Sequence, residues 1–346
     1  LQVVSTVGTG PDAQTATQEY SITTDSSVPG PNPMINVWYG SNQTFGEFGI
    51  ELGMGQRWVN IVGNAQDTEG IAEMSFTLNG GAARPLSVGP DNRRLAMPGD
   101  FNAEIPWSEL NVGNNEVVIT AVDELDNASS ATVTVNNAIP VPRTPTWRLP
   151  YAIDWSDVTN IQDVAQVVDG QWEIVGGALR PVAPNQLSYD RLVVIGDMDW
   201  QDYEVTVPIT IHRFYGQDPG VGILTRWRGH GADGSQPSMS CPYGGLGWYR
   251  YGSFTGRPSL RIEGNGNMIA EDTSGRQLET GVTYVFKMRA WTQATGPQAN
   301  VRQWYRLKVW EQGSPEPPQW DLGGFADVAE DALGAPALLA HRIDAS

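Results

Sequence analysis

Along most of the chain, hydrophobic and polar residues alternate with a period of two, which is the repeat of a β-strand. No stretch shows the longer period of an amphipathic helix, and glycine and proline clusters interrupt the alternation at short intervals. The pattern therefore predicts an all-β protein. The predicted strands are 58–62, 72–78, 84–86, 104–106, 116–122, 131–135, 172–174, 191–195, 203–211, 222–228, 247–251, 259–262, 284–290 and 304–310.

Two proline-rich segments divide this pattern into parts. The sequence 26-SSVPGPNP-33 follows two short alternating runs, and 139-IPVPRTPTW-147 separates two longer series of strands. Each series is long enough, with turn signals between its strands, to close a β-sandwich. We therefore predict an N-terminal strand segment with its linker, a first sandwich, a proline-rich linker and a second sandwich, at residues 1–30, 31–138, 139–146 and 147–346.

The first series of strands contains two characteristic stretches, 60-NIVGNAQDTEGIAEMSFTLNGG-81 and 113-GNNEVVITAVDELDNASSATVTV-135. They resemble bacterial immunoglobulin-like domains of extracellular proteins. The resemblance implies an immunoglobulin-like β-sandwich of roughly 100 residues. A shared sandwich fold says almost nothing about function.

The second series contains five characteristic stretches: 170-GQWEIVGGALR-180, 200-WQDYEVTVPITI-211, 220-GVGILTRW-227, 279-ETGVTYVFKMR-289 and 305-YRLKVWEQG-313. Together they resemble the concanavalin A-like (laminin-G-like) jelly roll of lectins, glucanases and polysaccharide lyases. In that family saccharides bind on the concave sheet, so the resemblance implies a glycan-binding surface here.

The composition of the chain limits the classes of binding partner and the cellular location that we expect. The formal net charge is -18, which argues against binding to nucleic acid or to an anionic membrane surface. No apolar run is long enough for a membrane helix, so we expect no membrane insertion. The single cysteine, Cys241, excludes a disulfide framework. The start, LQVVSTV, lacks the features of a signal peptide and fits a processed chain or a piece of a longer one. With the two resemblances, we expect an extracellular or cell-surface protein.

Cations and aromatic residues recur on the non-core faces of several predicted strands. The only two lysines and several arginines alternate there with buried apolar positions. Aromatic rings stack on sugars, and arginine forks hold carboxylates or sulfates, so this composition indicates a groove for an anionic or neutral glycan. The predicted glycan-binding residues are Arg226, Arg228, His230, Trp248, Tyr249, Tyr251, Lys287, Arg289, Arg306 and Lys308.

The sequence contains no catalytic motif that we can assign, and it contains two candidate segments for metal binding. The E-x-D-x-x-E strand motif of jelly-roll glucanases is absent, and the Arg, His and Tyr residues between 226 and 251 match no lyase spacing, so no catalytic residue is assigned. Oxygen ligands for Ca²⁺ occur in 123-DELDN-127 and in 197-DMDWQD-202. We predict a calcium site at Asp197, Asp199 and Asp202, and no other cofactor.

The chain stops where the resembled jelly roll commonly adds a last strand after a segment like 338-LLAHRIDAS-346. A missing strand leaves a sheet edge open, and the N-terminal run could fill it in the same or a neighbouring molecule. The residues predicted for such an exchange are Leu1, Val3, Val4 and Val7. Three functions follow: a non-catalytic glycan-binding or structural surface protein, a polysaccharide-active enzyme (lyase before hydrolase), or a self-assembling fibre or sheath subunit.

Overall fold

The computed structural model describes residues 2–7, 14–19, 30–48, 51–91, 93–139, 150–182, 190–216, 218–252, 257–295, 300–326 and 332–346. Over these residues the chain forms β-strands and three short 3₁₀ turns, so the prediction of an all-β protein is confirmed. No helix in these ranges is long and apolar enough to cross a membrane. The chain divides into two compact units, Leu1–Pro31 and Asn32–Ser346.

The first unit contains a β-hairpin. Its strands, β1 (Gln2–Val7) and β2 (Gln14–Glu19), pair antiparallel with each other. A two-stranded hairpin is at best marginally stable in water by itself. Three of the residues predicted for strand exchange, Val3, Val4 and Val7, belong to β1, whereas Leu1 falls outside the described residues.

The second unit begins with a β-sandwich that contains all six strands predicted for its half of the chain. Sheets of order β10-β7-β3 and β4-β12-β11-β8-β9 enclose a core around Ile61, Phe76, Phe101 and Ile119. Its strands are β3 (Met34–Val37), β4 (Asn42–Phe45), β5 (Glu47–Phe48), β6 (Glu51–Leu52), β7 (Trp58–Gln66), β8 (Ile71–Leu78), β9 (Arg84–Leu86), β10 (Asp100–Pro106), β11 (Gly113–Asp123) and β12 (Ala128–Asn137).

A second, larger sandwich follows in the same unit. A seven-stranded sheet, β13-β16-β25-β18-β19-β20-β21, and a five-stranded sheet, β24-β23-β22-β17-β26, enclose a core around Ile223, Leu260, Phe286 and Tyr305. Its strands are β13 (Gln166–Asp169), β14 (Trp172–Val175), β15 (Ala178–Pro181), β16 (Asp190–Val194), β17 (Tyr203–Phe214), β18 (Gly220–Trp227), β19 (Gly245–Arg250), β20 (Ser259–Gly264), β21 (Asn267–Glu271), β22 (Thr283–Thr295), β23 (Asn300–Glu311), β24 (Leu322–Ala326), β25 (Ala335–His341) and β26 (Ile343–Ala345).

The segment from residue 335 onward forms two strands that the alternation did not predict. Strand β25 lies inside the seven-stranded sheet and pairs with both β16 and β18. It escapes prediction because it is apolar on both faces: Leu338 and Ala340 pack on the inter-sheet core, and Leu339 packs on the opposite side. Strand β26 pairs with the last part of β17, from Ile211 to Phe214.

Strand β18 contains a β-bulge that corrects the predicted faces of this strand. Regular alternation along the predicted strand 222–228 places Trp227 on the face of Ile223, with Leu224 opposite. In the structure Arg226 has a left-handed φ of 60°, and the pairing with β25 shifts between Leu224 and Trp227. Because a bulge inserts one extra residue, Trp227 packs with Leu224 outside the inter-sheet core.

A buried ionic cluster joins the two sandwiches, and we define it by Arg94, Glu104, Asp169 and His230. Arg94 Nη2 lies 2.7 Å from Glu104 Oε1, and its Nε lies 2.7 Å from Asp169 Oδ1. His230 Nε2 lies 3.0 Å from Asp169 Oδ2. Arg94 and Glu104 come from the first sandwich and the other two from the second, so charged groups connect them. The predicted linker, 139–146, lies almost wholly outside the described residues.

The charges of the ionic cluster hold one another in the ionised state. Burial opposes every charge, but the two carboxylates raise the pKa of Arg94 above its ordinary value. Burial also raises the pKa of Asp169, yet Arg94 and His230 outweigh it and the net shift is downward. For His230, burial and Arg94 lower the pKa, whereas Asp169 raises it, and the result is about 9.

Candidate functional site

The predicted glycan-binding residues on and after β18 and β19 do not form one surface. Tyr249 is fully buried in the inter-sheet core, and Trp248 is buried on the other side of the same sheet. His230 belongs to the ionic cluster and is 3% exposed. Tyr251 is exposed, but its ring stacks on Phe214 at a centroid distance of 4.5 Å. These side chains therefore pack at separate places in the fold.

The two arginines of this group are also held internally. Arg226 is 2% exposed; it donates hydrogen bonds to Gln303 Oε1 and, at 3.0 Å, to Thr292 Oγ1. Its guanidinium therefore supports the ends of β22 and β23 from inside the sandwich. Arg228 is half-buried and donates through Nη1 to the carbonyl of Met198 at 3.2 Å.

The other four predicted residues come together on the side of the five-stranded sheet that faces away from the core, where Lys308 is nevertheless buried, with 5% of its surface exposed. Lys287 and Arg289 of β22 lie beside Arg306 and Lys308 of β23, as the alternation predicted. The intervening residues, Phe286, Met288, Leu307 and Val309, are buried in the core. Of the predicted binding residues, the four on β22 and β23 therefore lie together, whereas the six between residues 226 and 251 lie at separate places in the fold.

Aromatic side chains extend this group into a larger surface, the cation–aromatic face, defined by Lys287, Arg289, Trp291, Trp304, Arg306, Lys308, Trp310 and Phe325. Trp291 and Trp304 stack with their centroids 5.7 Å apart and their planes at 19°. Trp304 also packs on Phe325 at 4.8 Å. Alternation along β22 and β23 places Trp291, Trp304 and Trp310 on this side, whereas Phe325 follows only from the register between β23 and β24.

The register brings like charges directly opposite each other. Lys287 pairs across the sheet with Lys308, and Arg289 pairs with Arg306. The next pair along the same two strands is Trp291 with Trp304. Directly opposed like charges destabilise a sheet unless other charges neutralise them. The cation–aromatic face therefore consists of two cationic rows followed by an aromatic row.

Two carboxylates neutralise the lysine row. Glu316 Oε1 lies 2.7 Å from Lys308 Nζ and 3.0 Å from Lys287 Nζ, and Glu204 Oε2 lies 3.2 Å from Lys287 Nζ. Burial lowers the pKa of Lys287, but its hydrogen bonds to these two carboxylates raise the pKa by more than burial lowers it. The net shift of the pKa is upward. Hydrogen bonds from Lys308 and Lys287 lower the pKa of Glu316.

The arginine row is neutralised far less. Among the described residues, Arg289 has an ion pair with Glu204, at 3.7 Å, and Glu204 is already shared with Lys287. Arg306 is exposed, and within the described part of the chain no ion pair reaches it. The guanidinium groups of Arg289 and Arg306 lie 5.2 and 5.3 Å from the ring centroid of Trp291. Both cations therefore keep free hydrogen-bond donors beside an aromatic ring.

The three aspartates predicted as calcium ligands do not converge. Asp197 is buried, and its carboxylate accepts hydrogen bonds from the backbone amides of Met54 and Asp199. Asp202 accepts from the amide of Thr292 at 2.7 Å. These carboxylates fix turns and strand ends, as Asp residues commonly do. Calcium binding by this chain stays a prediction.

Within the described residues, one group of acidic side chains could meet around an ion. Asp67, Glu69 and Asp123 have carboxylate oxygens within 4.8 Å of one another. Asp123, which belongs to the second predicted calcium segment, accepts hydrogen bonds from the amides of Leu125 and Asn127 at 2.8 Å each. This carboxylate has a structural role in a turn, so the geometry assigns no metal function to it.

Comparison with known proteins adds little to this picture. No family model and no curated protein matches the chain. Among solved structures, it is similar to the carbohydrate-binding module CBM66 from Bacillus subtilis, with 15% identity, a TM-score of 0.31, and coverage of 52% of this chain and 89% of that one. It is also similar to SGBP-B of the Bacteroides ovatus mixed-linkage glucan utilization locus, solved with a mixed-linkage heptasaccharide, with 10% identity, a TM-score of 0.20, and coverage of 92% and 100%. Similarity at such low TM-scores does not establish a shared function.

Proposed function

We propose that this chain is a non-catalytic glycan-binding protein of the extracellular space or cell surface, and that the cation–aromatic face binds a glycan that carries carboxylate or sulfate groups. The observation that carries the proposal is the directly opposed pair of Arg289 and Arg306 beside the stacked Trp291 and Trp304. The proposal includes an immunoglobulin-like first sandwich that acts as a spacer and a concanavalin A-like second sandwich that binds.

Electrostatics favour an anion at the arginine row. In a chain with a net charge of -18, Arg306 and the adjacent Arg289, whose neighbouring carboxylate Glu204 is shared with Lys287, form a local positive surface. An oxyanion placed between Arg289 and Arg306 relieves their repulsion and accepts charge-assisted hydrogen bonds from both forks. The free protein therefore keeps donors that a carboxylate or sulfate satisfies better than water does.

The aromatic row supplies the second element of saccharide recognition. Consecutive outward side chains on a strand are roughly 7 Å apart, so the row of Trp291 and Trp304 lies next to the arginine row. An aromatic face accepts the apolar side of a sugar ring while the neighbouring arginines hold its charged substituent. This combination favours a charged saccharide over a free anion.

The carboxylates on this face are poorly suited to catalysis. Glu316 is held ionised by two lysines, which lowers its pKa and makes it a weak proton donor near neutral pH. Glu204 is shared between Lys287 and Arg289. These contacts support binding without bond cleavage, and incubation with polysaccharide followed by product analysis separates the proposal from a lyase or hydrolase.

We expect Arg306→Gln to weaken binding of an anionic glycan about tenfold or more, because a hydrogen bond to a charged group contributes about 1.5–3 kcal/mol. The measurement is calorimetric titration with polygalacturonate, a sulfated galactan and a neutral mixed-linkage glucan. Binding of the anionic glycans should weaken as salt rises. Loss of one of two opposed like charges should leave the free energy of unfolding unchanged or slightly higher.

Arg213→Gln is the matched control for this titration. Arg213 is also exposed and also lies over an aromatic ring, that of Tyr215 at 5.2 Å, but it is far along β17 from the cation–aromatic face. The Arg213→Gln variant should bind the same glycans with the same affinity as the unchanged chain does. The proposal fails if the anionic glycans do not bind, or if Arg306→Gln and Arg213→Gln bind them equally well.

A further inference from the structure

The second sandwich contains an open cleft between its two sheets, which we call the β17 cleft. Its volume is about 730 Å³. Strand β17 forms one side and strands β18 and β25 form the other. Residues from the segments 150–155 and 172–179 also line the cleft. The apolar side chains that line the cleft include Tyr151, Ile195, Val205, Val207, Ile209 and Leu338.

Three side chains that belong to the inter-sheet core are incompletely covered in this cleft. Val205, Val207 and Leu338 are only half-buried, although they pack against the core cluster. Farther along β17, where β26 pairs with it, Ile211 is fully buried. The interior of the sandwich is thus closed at one end of β17 and open at the other, and an opening of this kind marks an interaction site.

Within the described ranges, one edge of the β17 backbone has no strand partner along the same stretch. On one side, β22 pairs with β17 from Tyr203 to Thr210. On the other side, β26 pairs only from Ile211 onward, and Thr210 exchanges two hydrogen bonds with Ser346, of 2.6 and 2.9 Å. By the two-residue period of an antiparallel ladder, the backbone groups of Glu204 and Thr206 face the open side.

We propose that the β17 cleft accepts strand β1 of a second copy of this chain, which adds to the open edge of β17 and inserts alternate apolar side chains between the sheets. Addition of a strand to an exposed sheet edge satisfies the backbone groups, and the cleft then receives every second side chain. Each molecule has one donor strand and one acceptor cleft, so the contact is head-to-tail and forms rings or filaments.

Strand β1 matches the cleft in length, charge and pattern. The open stretch of β17 covers seven residues, 203–209, and β1 has six, Gln2–Val7. The sequence QVVSTV carries no charge, and its two-residue period groups Val3 and Val7 on one side with the small Ser5 between them. Its hairpin has β2 as a partner on one side only within the described residues, and such a hairpin gains stability by joining a larger sheet.

One residue of β17 limits what can pair there. Pro208 has its backbone toward the open side and no N–H, so an added strand receives hydrogen bonds from Glu204 and Thr206 but not from residue 208. A proline at an edge position discourages indiscriminate pairing between edges. Selectivity for β1 therefore depends on the apolar side chains that enter the cleft as well as on the backbone.

The test uses the full chain and two variants with complementary defects. Val3→Asp damages the donor strand, and Val207→Asp damages the half-buried wall of the acceptor cleft. Mass is measured by light scattering after size exclusion over a range of concentrations. We expect the unchanged chain to form dimers or larger assemblies, and each variant alone to remain monomeric.

A mixture of the two variants gives the sharpest result. Val3→Asp retains an intact cleft and Val207→Asp an intact donor strand, so the mixture should form one-to-one dimers that grow no further. Thr132→Asp changes an exposed position of β12 in the first sandwich, outside both the donor strand and the cleft, and is the matched control that should assemble like the unchanged chain. The proposal is overturned if the unchanged chain is monomeric at every concentration, if Val3→Asp assembles normally, or if the mixture stays monomeric.

Discussion

Replacing Asp169 with asparagine is expected to lower the free energy of unfolding by about 3–5 kcal/mol, because breaking a buried charge pair leaves its partners uncompensated. The carboxylate of Asp169 is fully buried and accepts hydrogen bonds from Arg94 Nε at 2.7 Å, from Asn102 Nδ2 at 3.2 Å and from His230 Nε2 at 3.0 Å. Asparagine has nearly the same size but no charge. Both Arg94 and His230 then lose their shared counter-charge where water cannot replace it.

The measurement is urea unfolding of the full chain and its variants at the same pH. Glu109→Gln is the matched control, since it neutralises one member of a surface ion pair with Arg84 whose two side chains are more than a third exposed. An exposed pair contributes at most about 1 kcal/mol, so this control should unfold almost like the unchanged chain. Equal effects of the two substitutions would show that the ionic cluster does not stabilise the fold.

Stability should also fall as the pH rises from about 6.5 to about 9, through the titration of His230. Its pKa is about 9 in the folded chain, against an ordinary value near 6.5. A raised folded-state pKa contributes stability that is complete below the unfolded value and lost as the pH passes the folded value. The loss attributable to this residue is at most about 3 kcal/mol across that window.

The groups around the His230 ring explain the direction of this shift. Both ring nitrogens face acceptors: Nε2 faces Asp169, and Nδ1 lies 3.0 Å from the carbonyl of Ser240. A hydrogen bond with Cys241 also favours the charged ring, while burial and Arg94 oppose it. The doubly protonated imidazolium is the only form that donates to both acceptors.

The pH prediction is tested by urea unfolding at pH 6, 7, 8 and 9, compared with a variant in which His230 is glutamine. The variant should be less stable at pH 6, and its stability should change less between pH 6.5 and 9. His212→Gln changes an exposed histidine and should keep the pH profile of the unchanged chain. Parallel profiles for the unchanged chain and His230→Gln would contradict the assignment.

The cation–aromatic face was predictable because its two strands are regular. Strands β22 and β23 keep an unbroken register from Tyr284 opposite Glu311 to Thr295 opposite Asn300. Alternation therefore placed Lys287 and Arg306 on the correct side. What alternation could not supply is which residues of one strand lie opposite those of the next, and this register makes the like-charge pairs and the stacked tryptophans visible.

The stretch from residue 221 to 251 failed as a predicted surface for three physical reasons. The bulge at Arg226 breaks the two-residue period. The sheet is covered on both faces, so Trp248 and Tyr249 are buried on opposite sides. Finally, His230 meets Asp169 and Arg94 from distant parts of the sequence, and contacts of such long range leave no local pattern.

The ionic cluster also bears on how mechanical load passes through the second unit. Short charged hydrogen bonds resist small displacements stiffly, and those of Arg94 connect the two sandwiches directly. A force applied to one sandwich is therefore transmitted in part through these bonds to the other. We expect the two sandwiches to resist rotation against each other until the cluster breaks.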